Sequence, residues 1–242
     1  MPSILSCTEI SKTFRRATLP SVLLQDHLLR WRLHRKQQHV QALQNVSLSL
    51  RTGEWLGLYG PNGGGKTTLL RILAGLMRPD AGSVYRGGTL SCFFDLGVGF
   101  HPERTAEENI RFHNLLHGIS GRESSRRMRE ILDFAGLGMF EQWPFKCYST
   151  GMKLRLAFAA IAHIDADIYL LDEVMAVGDR EFQDRCKDYL QSMKRRGKAV
   201  ILVSHSLPSL EEICDRVLFL ERGRIEREES VVPISHAVSA LG

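Results

Sequence analysis

The chain has no apolar run long enough to cross a membrane. Its longest apolar stretches, residues 156–162 and 199–203, are far shorter than the roughly 18 residues that a spanning helix needs. The first six residues also lack the basic start and apolar core of a secretory signal. These absences predict a protein that stays in the cytoplasm and has no transmembrane helix.

Cysteines are few and scattered, with no Cys-x-x-Cys pair and no Cys/His cluster at metal-ligand spacing. A disulfide scaffold and a structural zinc site are therefore not expected. The 242 residues, 43% hydrophobic and 24% charged, have the composition of a folded soluble protein. We expect one domain that covers residues 1–242.

Excess charge is confined to one segment. Residues 15–40 hold six Arg and Lys side chains against the single acid Asp26, which accounts for the whole net charge of +5. A nucleic-acid-binding protein more often spreads basic residues over a face of its fold. The distribution predicts a local electrostatic contact and no nucleic acid partner.

The apolar segments predict an α/β fold. Val46–Leu50 alternates like a strand, residues 51–54 read as a turn, and Trp55–Tyr59 is a second strand, so a hairpin is expected here. Further apolar runs at 168–171, 199–204 and 217–220 alternate with helix-compatible segments. Such alternation predicts a mainly parallel sheet that is covered on both sides.

Three segments stand apart from this pattern. Residues 104–163 contain no convincing strand, and Thr105 and Glu108 have the spacing of a helix capping box, so a helical subdomain is predicted. The basic segment 15–40 reads as an insertion. Residues 224–242 read as a C-terminal tail.

The strongest motif is Gly60–Thr67, which matches G-x-x-x-x-G-K-[ST] between a predicted strand and a predicted helix. Glycines let backbone N–H groups surround phosphates, and the helix N-terminus adds favourable partial charge. Lys66 would reach the terminal phosphates and Thr67 would ligate Mg²⁺. A flexible glycine turn is the alternative, which the strand and helix on either side disfavour.

Polar residues end two other predicted strands. Asp172 would hold Mg²⁺ through water, and Glu173 would orient or deprotonate an attacking water. His205 follows another strand at the same sheet edge and is a candidate γ-phosphate sensor. Read alone, the acid pair is a helix N-cap and His205 a surface histidine, so both assignments depend on the phosphate loop.

The order of these motifs resembles the ATP-binding cassette ATPases. Tyr148–Arg155 occupies the place of the family signature, just before the Asp172–Glu173 strand, and residues 176–179 match the D-loop. The resemblance implies ATP and Mg²⁺ as ligands. It also implies a second copy of the chain, because two cassettes of this family hold two ATP molecules between them.

The resemblance assigns the site residues as follows. Glu173 and His205 are catalytic, and Thr67, Asp172 and Asp95 are at the metal, with Asp95 in place of the usual Q-loop glutamine. His205 is the switch histidine, and Phe14 stacks on adenine. The nucleotide-binding residues are Phe14, Gly60, Pro61, Asn62, Gly63, Gly64, Gly65, Lys66, Thr67, Thr68, Ser149, Gly151 and Asp179.

Within that family, residues 95–103, 148–152 and 172–179 are similar to the cassettes that export lipid-linked bacterial polysaccharides. Thr150 and Met152 depart from the general signature as that branch does. The resemblance implies an ATPase on the cytoplasmic face of the inner membrane that drives a separate permease. Because the sequence ends at Gly242, the carbohydrate-binding sandwich that some of these cassettes carry is not expected.

The basic insertion has two open interpretations. Leu24, Leu28 and Trp31 share one helical face, and four basic residues crowd the remainder. This helix would lie against the membrane surface or the permease, or it would pack on its own domain.

The runner-up function is a soluble cassette ATPase in a non-transport assembly. A phosphate-loop kinase is a remote third, because it leaves the signature and His205 unexplained.

Overall fold

The computed structural model describes residues 3–15, 39–93, 100–173 and 178–231. Asp95, most of the basic insertion 15–40 and part of the D-loop lie outside the described residues, as does the end of the predicted tail. The predictions made for those segments stay predictions.

The larger sheet has the order β5-β6-β7-β3-β8-β9. Neighbouring strands run parallel except β9, which is antiparallel to β8. The strands are β3 (Trp55–Tyr59), β5 (Leu90–Phe93), β6 (Ile168–Asp172), β7 (Ala199–Ser204), β8 (Arg216–Glu221) and β9 (Arg224–Ser230).

A smaller antiparallel sheet has the order β2-β1-β4, formed by β1 (Ser3–Arg15), β2 (His39–Arg51) and β4 (Ala81–Arg86). The predicted hairpin across residues 51–54 is therefore wrong, since β2 pairs with β1 and β3 pairs with β7 and β8. The physical reason is burial. The end of β2 alternates between exposed and buried positions, whereas β3 is almost wholly buried between layers.

Helices cover the larger sheet on both sides. They are α1 (Lys66–Leu73), α2 (Ala106–Leu116), α3 (Gly121–Ala135), α4 (Thr150–Ala162), α5 (Arg180–Arg195) and α6 (Leu207–Ile213). Helices α2 to α4 form the helical subdomain. The capping box at Thr105 and Glu108 is confirmed at the start of α2. No helix in the described ranges is long and apolar enough to span a bilayer.

Alternate residues of each central strand enter two separate cores. Leu170 and Ile201 pack with α1 and the antiparallel sheet, whereas Leu171 and Leu202 pack with the helical subdomain and α5. This arrangement confirms the predicted α/β architecture. Part of the segment predicted as a tail belongs to the fold, because residues 224–230 pair with β8.

Candidate nucleotide-binding site

The polar motifs meet because three neighbouring strands end at one edge of the sheet. β7 lies between β6 and β3, with Asp172 opposite Val203 and Tyr59 opposite Ser204. Parallel strands place their carboxyl ends together, so the phosphate loop, the acid pair and His205 share one crevice. The sequence predicted this convergence, and the strand pairing confirms it.

The phosphate loop follows β3 and is packed backbone against backbone. A Cβ on Gly60 would overlap the carbonyl oxygen of Leu220, and one on Gly64 would lie 3.0 Å from the same atom. Gly65 has φ +107°, and a Cβ there would lie 2.6 Å from the Ala42 carbonyl oxygen. These glycines are required by close approach and by backbone conformation.

Lys66 is folded back into the loop. Its ammonium donates hydrogen bonds to the carbonyl oxygens of Gly60, at 2.6 Å, and Pro61, at 2.9 Å. Burial lowers the pKa of Lys66, and the nearby charges of Asp172 and Glu173 oppose that shift. Among the described residues, the hydrogen-bond acceptors of this buried ammonium are loop carbonyls, which it can exchange for phosphate oxygens.

Thr67 and Asp172 approach each other across the crevice. The Thr67 hydroxyl donates to Asp172 Oδ2 at 3.2 Å. Burial raises the pKa of Asp172, while this hydrogen bond and the Lys66 charge partly offset the shift. A hydroxyl and a carboxylate in contact are oxygen donors of the kind that Mg²⁺ prefers.

Glu173 is held in an unusual conformation beside His205. Its φ is +53°, which costs energy for any residue other than glycine, and its N–H donates to the Val203 carbonyl at 3.1 Å. Glu173 Oε1 lies 3.2 Å from His205 Nε2 without forming a hydrogen bond, and this buried oxygen has no hydrogen-bond partner among the described residues. Burial raises the pKa of Glu173, and the nearby His205 counteracts it.

The signature residues lie at the start of α4, on the helical subdomain. Ser149 is the N-cap, and its hydroxyl accepts from the Met152 N–H at 3.2 Å, while a Cβ on Gly151 would lie 4.0 Å from the Ser149 hydroxyl oxygen, an ordinary contact. No hydrogen bond between described residues connects Ser149 or Gly151 to the phosphate loop of the same chain. The free helix N-terminus is suited to bind an anion that arrives from outside this chain.

Asp179 caps the next helix and is joined to the signature helix. Its carboxylate accepts from the Phe182 N–H at 3.0 Å and pairs with Arg155 at 3.5 Å. Gly178 before it has φ +75°, and a Cβ there would lie 3.3 Å from Arg155 Cγ. The sequence does not predict the contact between Arg155 and Asp179, because the two residues are 24 positions apart and no local pattern connects them.

Phe14 lies near the outer end of the β1–β2 pair, opposite Val40. Its ring is 38% exposed, and the Lys12 ammonium is 5.9 Å from the ring centre. The structure leaves this ring open to a planar ligand and shows no contact with the phosphate loop among the described residues. The adenine role of Phe14 therefore stays a prediction, and Asp95 lies outside the described residues.

Together these residues fit a nucleoside triphosphate with a divalent cation. The loop has no room for side chains at Gly60 and Gly65, Lys66 is a buried cation, and Glu173 Oε1 is a buried acceptor that no described residue satisfies. Protein interiors rarely leave a polar atom unsatisfied unless a ligand or water uses it.

The ABC transporter family matches residues 43–176, which is more than half of the chain. The chain belongs to the ABC transporter family. The matched range includes the phosphate loop, the signature helix and the acid pair of this ABC transporter chain. The resemblance found in the motifs is thereby confirmed.

Among curated proteins, the chain is 43% identical over 185 residues to the ABC transporter protein AbcA of Aeromonas salmonicida, covering 76% of this chain and 60% of AbcA. It is 40% identical over 184 residues to the O-antigen export system ATP-binding protein RfbB of Klebsiella pneumoniae, covering 76% of this chain and 75% of RfbB. It is 39% identical over 190 residues to the teichoic acids export ATP-binding protein TagH of Listeria monocytogenes serotype 4b, covering 78% of this chain and 56% of TagH.

The match spans little more than half the length of AbcA and TagH. Among solved structures, an ATP-binding cassette dimer in a post-hydrolysis state with ADP and phosphate superposes with a TM-score of 0.76 at 24% identity. The superposition covers 94% of this chain and 99% of that one. At this identity the likeness shows the shared fold.

Proposed function

We propose that this chain is the ATP-hydrolysing subunit of an exporter of lipid-linked polysaccharide of the O-antigen, capsule or teichoic acid type. The observation that carries the catalytic part is Glu173 Oε1, a buried oxygen with no hydrogen-bond partner among the described residues, beside His205 at the sheet edge shared with the phosphate loop. The relatives named for O-antigen and teichoic acid export support the choice of cargo class.

In the proposed reaction, the phosphate loop and the N-terminus of α1 hold the phosphate chain of ATP, and Lys66 moves from its carbonyl acceptors to phosphate oxygens. Thr67 and Asp172 would hold Mg²⁺, which neutralises phosphate charge when bound. Glu173 Oε1 accepts a proton from the attacking water, and the raised pKa that burial gives this carboxylate suits a general base. His205, whose Nε2 lies 3.2 Å from Glu173 Oε1 without a hydrogen bond, donates from Nε2 toward the γ-phosphate.

Two copies of the chain complete the proposed site. Ser149 and the Gly151 N–H of one copy would meet the γ-phosphate held by the loop of the other, because among the described residues of one chain they make no hydrogen bond to that loop. Asp179, tied to α4 through Arg155, would lie at the same interface. Closing and opening of this pair would drive a separate permease from the cytoplasmic face of the inner membrane, with the insertion 15–40 as a further contact to the membrane surface.

The catalytic assignment is tested with Glu173→Gln. We expect ATP affinity to stay near that of the parent and hydrolysis to slow by about a hundredfold or more, the scale for loss of a general base. The variant should elute as a dimer only when ATP is present. Glu211→Gln removes an exposed carboxylate from α6 and should leave turnover unchanged. Parent-like turnover of Glu173→Gln would show that another group handles the water.

The transport assignment is tested by capture from membranes of the source organism. An integral protein with several membrane spans, recovered with the parent chain and released in high salt, supports the exporter. Recovery of ribosomes or nucleic acid would instead support a cassette ATPase in a non-transport assembly. Replacing the native copy with Lys66→Ala should also leave lipid-linked polysaccharide inside the cell.

A further inference from the structure

The phosphate loop is hydrogen-bonded to a turn that contains none of the motif residues. Residues 221–224 connect β8 to β9, and the Gly223 N–H donates to the Gly64 carbonyl at 3.0 Å. Arg222 and Gly223 have φ values of +49° and +78°, which is the geometry of a tight hairpin turn. The turn therefore bonds directly to the backbone of the loop.

Gln44 on β2 holds this turn with three groups. Its N–H donates to the Gly223 carbonyl at 2.8 Å, and its side-chain amide donates to the Arg222 carbonyl at 3.1 Å. Its side-chain oxygen accepts two hydrogen bonds from the Arg224 guanidinium, at 2.9 and 2.6 Å. One glutamine thus fixes three consecutive residues of the turn.

The backbones of β2, the turn and the phosphate loop pack closely against one another. A Cβ on Gly223 would lie 2.6 Å from the Ala42 carbonyl oxygen, and so would a Cβ on Gly65. The same carbonyl of β2 therefore packs against both the turn and the phosphate loop. Movement of the turn would be transmitted to the loop through backbone atoms.

The hydrogen bond to Gly64 also orients the next N–H group. The peptide between Gly64 and Gly65 is trans, so its carbonyl and its N–H point in opposite directions. With the carbonyl bonded to Gly223, the Gly65 N–H points away from the turn. No described residue accepts a hydrogen bond from that N–H, which leaves it available to a phosphate.

We propose that Gln44 is a positioning residue for nucleotide binding, acting through Gly223 on the Gly64–Gly65 peptide. The inference rests on the proposed function, since the loop must bind a nucleotide for its orientation to matter. Gln44 lies on the antiparallel sheet and touches neither Glu173 nor His205. Its loss should therefore weaken binding and spare the chemical step.

The test compares Gln44→Ala with Gln41→Ala. Gln41 is an exposed residue of the same strand and lines the same polar cavity, and its side chain makes no hydrogen bond to a described residue. We expect Gln44→Ala to raise KM for ATP, and Kd for a non-hydrolysable ATP analogue, by about tenfold, the factor for one to two net hydrogen bonds. The kcat should stay within about twofold, and Gln41→Ala should match the parent.

A second pair of variants tests the same contact from the turn. Gly223→Ala should raise KM because its Cβ meets the Ala42 carbonyl, whereas Gly197→Ala, at φ +69° with open space, meets no such contact. Gln44→Glu keeps the acceptor for Arg224 and should recover part of the affinity. A lower melting temperature for Gln44→Ala with parent KM and Kd would overturn the proposal and leave Gln44 a purely structural residue.

The outcomes separate this inference from the proposed function. If the parent does not bind ATP, or if Lys66→Ala binds it as the parent does, the proposed function fails. If the parent binds ATP and Lys66→Ala does not, while Gln44→Ala and Gln41→Ala behave alike, only the positioning role fails.

Discussion

Alanine at Gly65 would destabilise the phosphate loop in two ways, through backbone strain and through steric overlap with β2. At φ +107° an alanine is strained by its own backbone, and its Cβ would also lie 2.6 Å from the Ala42 carbonyl oxygen and 2.9 Å from Leu43 Cδ2. The oxygen contact must open by at least about 0.4 Å to reach the shortest distance that real Cβ atoms tolerate. Either the loop or β2 has to move.

The destabilisation expected for Gly65→Ala can be estimated by comparison with glycines that share its positive φ but have free space around them. Gly63 has φ +76° and Gly118 has φ +72°, and neither has an atom within 4 Å of the added Cβ. Alanine at these two positions should cost about 1 kcal/mol from backbone strain alone. Gly65→Ala should cost about 3 kcal/mol, since overpacking against a backbone adds about 1–3 kcal/mol.

Thermal unfolding without nucleotide, followed by circular dichroism, measures the difference. For a chain of this size each kcal/mol shifts Tm by about 2–4 °C, so Gly63→Ala and Gly118→Ala should lose about 2–4 °C and Gly65→Ala about 6–12 °C. Equal losses for Gly65→Ala and Gly63→Ala would refute the reasoning, because β2 would then yield freely and would not confine the loop.

Three further predictions concern other parts of the chain. Thr67→Ala should weaken ATP binding in the presence of Mg²⁺ and spare part of the metal-free affinity, which titrations with and without the metal compare. Burial lowers the pKa of His113 to about 4, whereas the unfolded chain accepts this proton near the ordinary pKa of 6.5. The free energy of unfolding should therefore fall by about 3 kcal/mol as the pH drops from 7 to 4. In urea titrations at several pH values, His113→Phe should remove this part of the pH dependence. Changing Arg30, Arg32, Arg35 and Lys36 to Glu should weaken co-sedimentation with anionic liposomes at low salt, while ATP binding persists. Each basic residue near an anionic surface contributes roughly 1 kcal/mol to membrane binding. Unchanged co-sedimentation would favour a helix packed on its own domain.

Sequence patterns were most informative where a local rule decides the structure. Trp55–Tyr59 and Ala199–Ser204 are strands as predicted, because continuous apolar runs of this length suit strands buried on both faces. The phosphate loop and the capping box at Thr105 were visible for the same reason. Each depends on residues only a few positions apart.

Partners distant in sequence could not be predicted. The turn at 51–54 looked like a hairpin, yet its two strands enter different sheets, because what pairs with β3 lies more than 140 residues later. Gln44 is even farther in sequence from its turn, with 178 positions between it and Arg222. The turn at Arg222–Gly223 was not predicted, and nothing local in the sequence indicates that it contacts the loop.

The alternation of side chains along β6 also determines which of the two acids contacts Thr67 and which lies beside His205. Leu170 faces the core around α1, and Asp172, two residues on, lies on that same face and reaches Thr67, whereas Glu173 continues past the strand end toward His205. Side chains in a strand change face at every residue. Deleting one residue within β6 would send Asp172 to the opposite layer, at the place of Leu171, and bring Glu173 to Thr67, so that no acid would remain beside His205. The length of this strand, counted in single residues, is therefore as much a part of the site as the acids themselves, because a shift of one residue would move both acids out of their places without changing either of them.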